Sequence, residues 1–309
     1  MRRIELLIEQ ARRDSDNTDY SDSTGLQDED FCEWASNAQE RLQSIISAVN
    51  APLFQETELI NSVASQEAYD LPELIHLGSF VENIEFSSNG QEDNFEDLNE
   101  IELRERPQGL VGKPEAYVLQ SGQFLSSPAP VNDDGVFRVT YQKILPRIDK
   151  RRGKVSAVTL ATDTITALTL DPTELAGDDA EQAINVGFLT VVDKYGTVKM
   201  KGIPISDIDT TTGVVTVDSD FVFQDGETIE VDDYVVAGEF HSSHPSLPRQ
   251  CERYLLSYMT WKALKRDSSY DSKEGKEELD SMEAQIVEAY KKPNKVSRGI
   301  PIINDEYLM

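Results

Sequence analysis

Three short stretches carry residue types that could do chemistry, and each lacks a part that the chemistry needs. Glu239, His241 and His244 set two imidazoles three residues apart beside a carboxylate, a donor set that could hold a divalent metal on a helix. Here Ser242, Ser243 and Pro245 make the segment a loop, and no third His or Cys is near. Ser243 next to His244 is not framed by G-x-S-x-G, the sharp turn that exposes a serine nucleophile. Gly109-Leu110-Val111-Gly112-Lys113-Pro114 has the flavour of a phosphate loop, but that loop needs four residues between its glycines and Ser or Thr after its Lys. The polar run 14–25, DSDNTDYSDSTG, suggests calcium; yet its sixth position is Asp19 and its twelfth Gly25, where an EF-hand needs the turn glycine and the bidentate glutamate. With 57 acidic residues in the chain, carboxylate pairs suited to glycoside cleavage can be picked almost anywhere and carry no information. The two cysteines, Cys32 and Cys251, lie far apart in half-apolar helical patterns and read as buried reduced thiols. The sequence therefore predicts no catalytic, cofactor-binding or metal-ligating residue and no cofactor, and an enzyme is the weaker class.

The elements around these stretches are more informative. In 28–49, DEDFCEWASNAQERLQSIISAV, the residues Phe31, Trp34, Ala35, Ala38, Leu42, Ile45, Ile46 and Val49 recur at three- and four-residue steps. They predict one apolar stripe on a helix, with Glu33, Asn37, Glu40, Arg41 and Gln43 facing elsewhere. Asp28, Glu29 and Asp30 suit the positive end of its dipole, and Asn50 with Pro52 ends it. A shorter amphipathic helix is expected over 2–13. Two more follow near the C-terminus: one opened by Leu247-Pro248 and capped by Ser246, lined by Cys251, Tyr254, Leu255, Tyr258, Met259 and Ala263, and one after Ser272, carrying Leu279, Met282, Ile286, Ala289 and Tyr290 and ending at Pro293. The long helix is expected to pack against this distant pair.

Between the helices the pattern turns extended. Val63, the stretch Ala68-Tyr69-Asp70-Leu71-Pro72, and Phe80, Val81, Ile84 and Phe86 read as short strands; so do Ala116-Tyr117, Phe124-Leu125 and 136–141. Together they predict a small antiparallel sheet, with 95–104 undecided between helix and strand. The one dense basic cluster, RIDKRRGK at 147–154, precedes a change of texture, since 155–240 is Thr- and Val-rich and broken by Asp-Gly and Thr-Gly turns. The fold class is thus α+β: a helical bundle with a small antiparallel sheet, plus an inserted all-β domain, sandwich or barrel. The expected division is 1–150 and 240–292 for the two parts of the main body, 151–239 for the insertion and 293–309 for an extended tail. That tail carries Ile300, Ile302, Ile303, Tyr307 and Leu308, an apolar set suited to docking on a partner or neighbouring subunit.

In a chain of 309 residues a formal charge of -28 argues against a nucleic-acid-binding surface, because phosphate contacts need Lys and Arg. Such a surface still suits a protein past which DNA slides. No charged-then-apolar leader opens the sequence and no run of about eighteen apolar residues occurs, so it reads as soluble, unexported by that route and not membrane-bound.

The order of the pieces carries one further reading. A short helix comes first, then a helix with Trp34 and Asn37-Ala38-Gln39. A strand ending Tyr69-Asp70-Leu71-Pro72 follows, then Gly112-Lys113-Pro114-Glu115-Ala116-Tyr117, a strand into Tyr141, and Leu247-Pro248 before ERYLLSYMTWKALKRD. This succession resembles the head-to-tail adaptor, or connector, proteins of tailed bacteriophages, over about 1–150 and 240–292; the extra β domain and long tail resemble the larger adaptors of short-tailed phages. The resemblance implies a ring of twelve copies below the portal at the head-tail junction of the virion. It also implies portal, tail-nozzle and fibre proteins as partners, and DNA passing through without specific binding. The tail residues Ile300, Ile302, Ile303, Tyr307 and Leu308 are then expected to bind the portal or a neighbouring copy. The alternative is a receptor- or glycan-binding virion or surface protein that works through its β domain.

Overall fold

The computed structural model describes residues 2–16, 25–72, 75, 81–91, 94–107, 109–161, 164–171, 187–209, 211–218, 229–266 and 272–291. Among them, helices α1 (Ile4–Asp14), α2 (Asp28–Val49), α3 (Glu252–Leu264) and α4 (Ser272–Tyr290) form a bundle. In it α2 touches α1, α3 and α4, and α1 also packs on α3. The long helix therefore meets the C-terminal pair, as its unpartnered stripe requires. Its start is held by Gln27 and Asp30, whose side chains each accept the other's backbone N–H, and its end by the Asn50 N–H on the Ile46 carbonyl at 2.7 Å. Phe31, Ala35, Ala38, Leu42 and Ile46 are fully buried, while Trp34, Ile45 and Val49 are half-buried.

Two apolar clusters divide the bundle lengthwise. Ile4, Leu7, Ile8 and Ala11 of α1 pack with Phe31, Ala35, Met259 and Ala263; further along, Leu42 and Ile46 pack with Cys251, Tyr254, Leu255, Leu279 and Ile286. Each such Leu or Ile stabilises the fold by about 1.5–3 kcal/mol relative to exposure. Glu283 of α4 accepts two bonds from the Arg41 guanidinium of α2 (2.6 and 2.9 Å) and one from the Tyr254 hydroxyl of α3, tying three helices together.

The structure corrects several details. The helix after Pro248 begins later than expected: Arg249–Cys251 is a 3-10 turn and α3 starts at Glu252, with no side-chain cap. Ser246 instead donates its N–H to Gln39 Oε1 at 2.7 Å. In α4 only Leu279 and Ile286 are buried, and Ala289 is exposed, because this helix lies on the outside of the bundle.

The small sheet proves to be two. Strands β1 (Gln55–Asn61), β8 (Val136–Gln142), β3 (Val81–Ser87) and β4 (Glu96–Asp97) form one antiparallel sheet in the order β1-β8-β3-β4. The second runs β2 (Ala68–Asp70), β7 (Gln123–Ser127), β6 (Ala116–Gln120), β5 (Asn99–Glu100), and its β5–β6 pair is parallel. One core joins them, with Phe137 at its centre, 4.8 Å from the rings of Tyr69 and Phe86 and 5.1 Å from that of Phe124. The undecided run 95–104 is extended and then closes in a 3-10 turn at Leu103–Glu105. The strand placed at Val63 lies earlier, at β1; Val63 itself is 46% exposed beyond the strand's end.

Beyond Ile148 a closed barrel follows, of six antiparallel strands ordered β10 (Gly153–Ala161), β11 (Thr164–Leu170), β14 (Val214–Val217), β13 (Val198–Asp209), β12 (Phe188–Val192), β15 (Tyr234–Ala237). Val155, Leu168, Leu170, Leu189, Val191, Met200, Ile203, Val215, Val217 and Val235 are all buried together and fill its interior. Closure leaves no free sheet edge, so this all-β part needs no neighbour to complete its hydrogen bonds.

Candidate functional site: the joint between bundle and barrel

The chain passes from the body into the barrel and back along one seam. β9 (Arg147–Ile148) and β16 (His241–Ser242) pair in parallel, extended by Arg147 N–H to the Phe240 carbonyl (3.1 Å) and Asp149 N–H to the Ser242 carbonyl (3.0 Å). Helix α2 grips this seam with a polar stripe. Ser36 Oγ accepts the Ile148 N–H at 2.9 Å, Gln39 Nε2 donates to the Pro146 carbonyl at 2.7 Å, and Gln43 Nε2 donates to the Lys143 carbonyl at 2.6 Å. Positions 36, 39 and 43 share a helix face. Gln39 bonds both crossings at once, since its Oε1 takes the Ser246 N–H. Gln43, expected to face away from the core, is 2% exposed; as a long polar side chain it reaches backbone carbonyls that would otherwise be buried unpaired.

The basic cluster 147–154 lies in the same seam and is largely neutralised by its own chain. Arg152, 4% exposed at its side chain, makes a two-pronged bond to Asp149 (2.7 and 3.1 Å) and reaches Glu29 at 3.0 Å. Asp149 also accepts the Ala237 N–H of the barrel at 3.0 Å. Lys150 sits 3.1 Å from Glu29 and 3.5 Å from Asp28, and Lys154 pairs with Asp232. Arg151 lies 3.6 Å over the Tyr234 ring and donates to the Lys194 carbonyl, while its own N–H goes to Glu5. Burial by itself would raise the Glu29 pKa, but a backbone hydrogen bond and the charges of Lys150 and Arg152 outweigh it and hold the carboxyl at about 2.

The imidazoles also belong to this seam and pack against its glycines. The His241 ring presses on Gly238 and the His244 ring on Gly196, two positive-φ glycines where a Cβ would collide with the ring. Ser243 is fully buried; its Oγ meets His244 Nδ1 at 3.1 Å and its carbonyl accepts the Ile4 N–H at 3.0 Å. A serine closed off in this way is not presented to a substrate. The Glu239 side chain is exposed. Among the described residues no group of three or more His, Cys, Asp or Glu is arranged to hold a metal ion. In the glycine run, Gly109 donates to Glu67 at 3.3 Å, Gly112 donates to the Ala129 carbonyl at 2.8 Å, and Lys113 pairs with Glu96. Both cysteines are buried free thiols; burial pushes Cys251 up to about 11 and Cys32 well above its ordinary value. The calcium-like run 14–25 is mostly, and the tail residues Ile300, Ile302, Ile303, Tyr307 and Leu308 are wholly, outside the described residues.

Acid is expected to weaken the seam. Burial, reinforced by Arg151 and Arg3, lowers the His244 pKa from 6.5 to about 4. The unfolded chain takes up this proton first, so the stabilisation is present above 6.5 and is lost as pH falls towards 4. Urea midpoints measured across that window fall for the native chain. In His244→Asn the fall is shallower; an unchanged slope would show that His244 does not carry it.

The family model of the SU10 adaptor protein matches residues 3–171, more than half of the 309-residue chain. The match takes in α1, α2, the two-sheet core, the first strand of the seam and the barrel's first hairpin. No curated protein matches the chain.

Proposed function

The chain belongs to the SU10 adaptor protein family, a phage head-to-tail adaptor, and we propose that it works as a ring seated below the portal, joining head to tail. In this reading the ring has twelve copies in a short-tailed phage, gives tail and fibre proteins a platform, and lines the channel through which DNA leaves. Residues 1–150 and 240–292 form the adaptor body, 151–239 is an inserted domain on the outside, and 293–309 is a tail. Ile300, Ile302, Ile303, Tyr307 and Leu308 of that tail dock on the portal or a neighbouring copy. The role is mechanical, and no catalytic step is assigned.

The observation that supports this best is the fate of the basic cluster. Lys150, Arg152 and Lys154 are spent on Asp28, Glu29, Asp149 and Asp232, and Arg151 on Tyr234 and Lys194. A chain of charge -28 whose densest cationic run is largely paired with its own carboxylates offers phosphates little to hold, which suits a wall that DNA must slide past. The seam adds rigidity where a ring component bears load: both crossings are fixed to α2, so a pull on the barrel reaches the bundle through several hydrogen bonds at once.

The test is to mix the purified chain with its phage's portal and measure mass by light scattering and shape by cryo-microscopy. A closed ring on the portal is expected, with no retention of duplex DNA at physiological salt. A chain that stays monomeric beside the portal, or that retains DNA, overturns the ring; a monomer with affinity for a glycan would instead support the receptor-binding reading.

A further inference from the structure

We propose that the open edge of β1 takes an extended segment of another protein as a fifth strand of its four-stranded sheet. The strand pairs with β8 alone, in one unbroken register from Gln55↔Gln142 to Asn61↔Val136. Lys143 N–H to the Phe54 carbonyl (3.0 Å) and Ser62 N–H to the Gly135 carbonyl (2.8 Å) continue the same ladder at its two ends. Antiparallel partners exchange bonds at every second residue, so Glu56, Glu58 and Ile60 turn their backbone groups to β8, while Thr57, Leu59 and Asn61 turn theirs away. Those outward groups have no hydrogen-bond partner among the described residues, and all three residues are exposed, Leu59 at 60%. β1 also has no proline, lysine or bulge of the kind that closes an edge. Among the described residues the other open edges are two or three residues long, and the barrel has none.

A cleft beside the edge gives the added strand its side-chain contacts. It opens between β1 and β2 with a volume of about 600 Å³, in the range of built binding sites, and Ile60, Tyr69, Leu71 and Tyr141 supply its apolar surface. Side chains alternate across a strand, so every second residue of the incoming segment faces this cleft. The residue opposite Ile60 is then apolar. The residue opposite Glu58 is Lys or Arg, because Glu58 is exposed and makes no ion pair among the described residues, whereas Glu56 already has Lys143 at 3.4 Å. Glu58 also tells against a second copy as the occupant. Antiparallel pairing of two β1 strands about their centre sets Glu58 against Glu58, and each chain carries a charge of -28. The occupant is therefore a different protein, whose extended segment presents an apolar residue and a cation two positions apart on one face. This goes beyond the ring, since the edge stands open on a single chain.

The probe is a fluorescent peptide, Thr-Val-Val-Lys-Thr-Val-Thr, which matches β1 in length and, run antiparallel, sets Val opposite Ile60 and Lys opposite Glu58. It is titrated into the full chain, with binding read by anisotropy and amide exchange by nuclear magnetic resonance. Exchange at the Thr57, Leu59 and Asn61 amides is expected to slow about tenfold or more on binding. Leu59→Pro and, separately, Thr57→Pro are expected to weaken binding about tenfold or more and to leave the urea midpoint near that of the native chain, because an edge strand accepts proline where the N–H faces solvent. Replacing the peptide's Lys by Glu is expected to weaken binding several-fold. Binding that survives both proline variants, exchange slowed only at other amides, or no binding at millimolar peptide overturns the proposal. Slowed exchange at these three amides in the chain alone, lost on dilution, assigns the edge to a second copy and overturns it as well.

Discussion

Arg152→Met destabilises the folded chain by about 3–5 kcal/mol, the range for removing one partner of a buried ion pair. The size follows from what is left behind. Asp149 is 9% exposed at its side chain and would keep its charge against the barrel strand that carries Ala237, with only one backbone N–H to balance it. Glu29 loses one of its cations in the same step. The second variant separates a missing partner from a missing shape. Arg152→Met with Asp149→Asn removes the stranded charge while the amide oxygen can still accept the Ala237 N–H, so it is expected to recover a large part of the loss. Urea unfolding read by tryptophan fluorescence is suited to the measurement, because Trp34 and Trp261 both belong to the bundle side of the seam. A loss below about 1 kcal/mol for Arg152→Met would mean that water reaches Asp149 freely and that the seam is not the dry joint described above. The same joint is expected to weaken as pH falls from 4.5 towards 2, because Glu29 has its folded-state pKa lowered across that window: the stabilisation is complete above 4.5 and gone once the folded carboxyl is protonated.

Phe137→Ala is expected to cost a further class of stability, about 3–5 kcal/mol, by opening a cavity in the two-sheet core. Phe137 is fully buried and its ring lies within 5.1 Å of the rings of Tyr69, Phe86 and Phe124, which come from three other strands in both sheets. Those neighbours are held by strand pairing and cannot all collapse into the space, so the loss includes the cavity as well as the transfer of the ring. Amide hydrogen exchange along β8 and its partners β1 and β3 reports this core, while the tryptophans report the bundle. Protection in these strands is expected to be lost first in the variant. If both signals shift together and by less than about 1 kcal/mol, the two sheets do not share the core that the aromatic contacts indicate.

The acidic character of the chain acquires a structural meaning from the seam. A basic run such as 147–154 would ordinarily read as a patch for phosphate. Its cations instead serve the joint, where Asp28 and Glu29 stand at the first turn of α2 and favour both the helix dipole and the incoming lysine and arginine. One set of carboxylates therefore starts a helix and fastens the barrel to it.

The helices and an inserted all-β part were legible in the amino-acid sequence alone, whereas its closure into a barrel rather than a sandwich was not. The bounds of α2 and its buried apolar positions follow from apolar residues at three- and four-residue steps, and the all-β part follows from Thr- and Val-rich runs with regular turns. Both are local properties, since the chain's own period decides which side chains share a face. The strand β1 was not legible, because QETELIN lies at a sheet edge with a mostly exposed face and shows no clean alternation. Nor was the division of one sheet into two, which depends on whether neighbouring strands pair or turn to face each other.

Only the tertiary structure decided the joint. Ser36, Gln39 and Gln43 are polar residues on a helix, a pattern that normally marks the solvent side, and they are buried here because seam segments a hundred or more residues away bring carbonyls and N–H groups to them. The charges of 147–154 likewise carry no label for their partners, and Arg152 meets Glu29 across 123 residues of sequence. Periodicity encodes which face of an element is apolar. Which buried polar group another segment satisfies is fixed by where the folded backbone comes to rest, and that depends on contacts the local pattern does not contain.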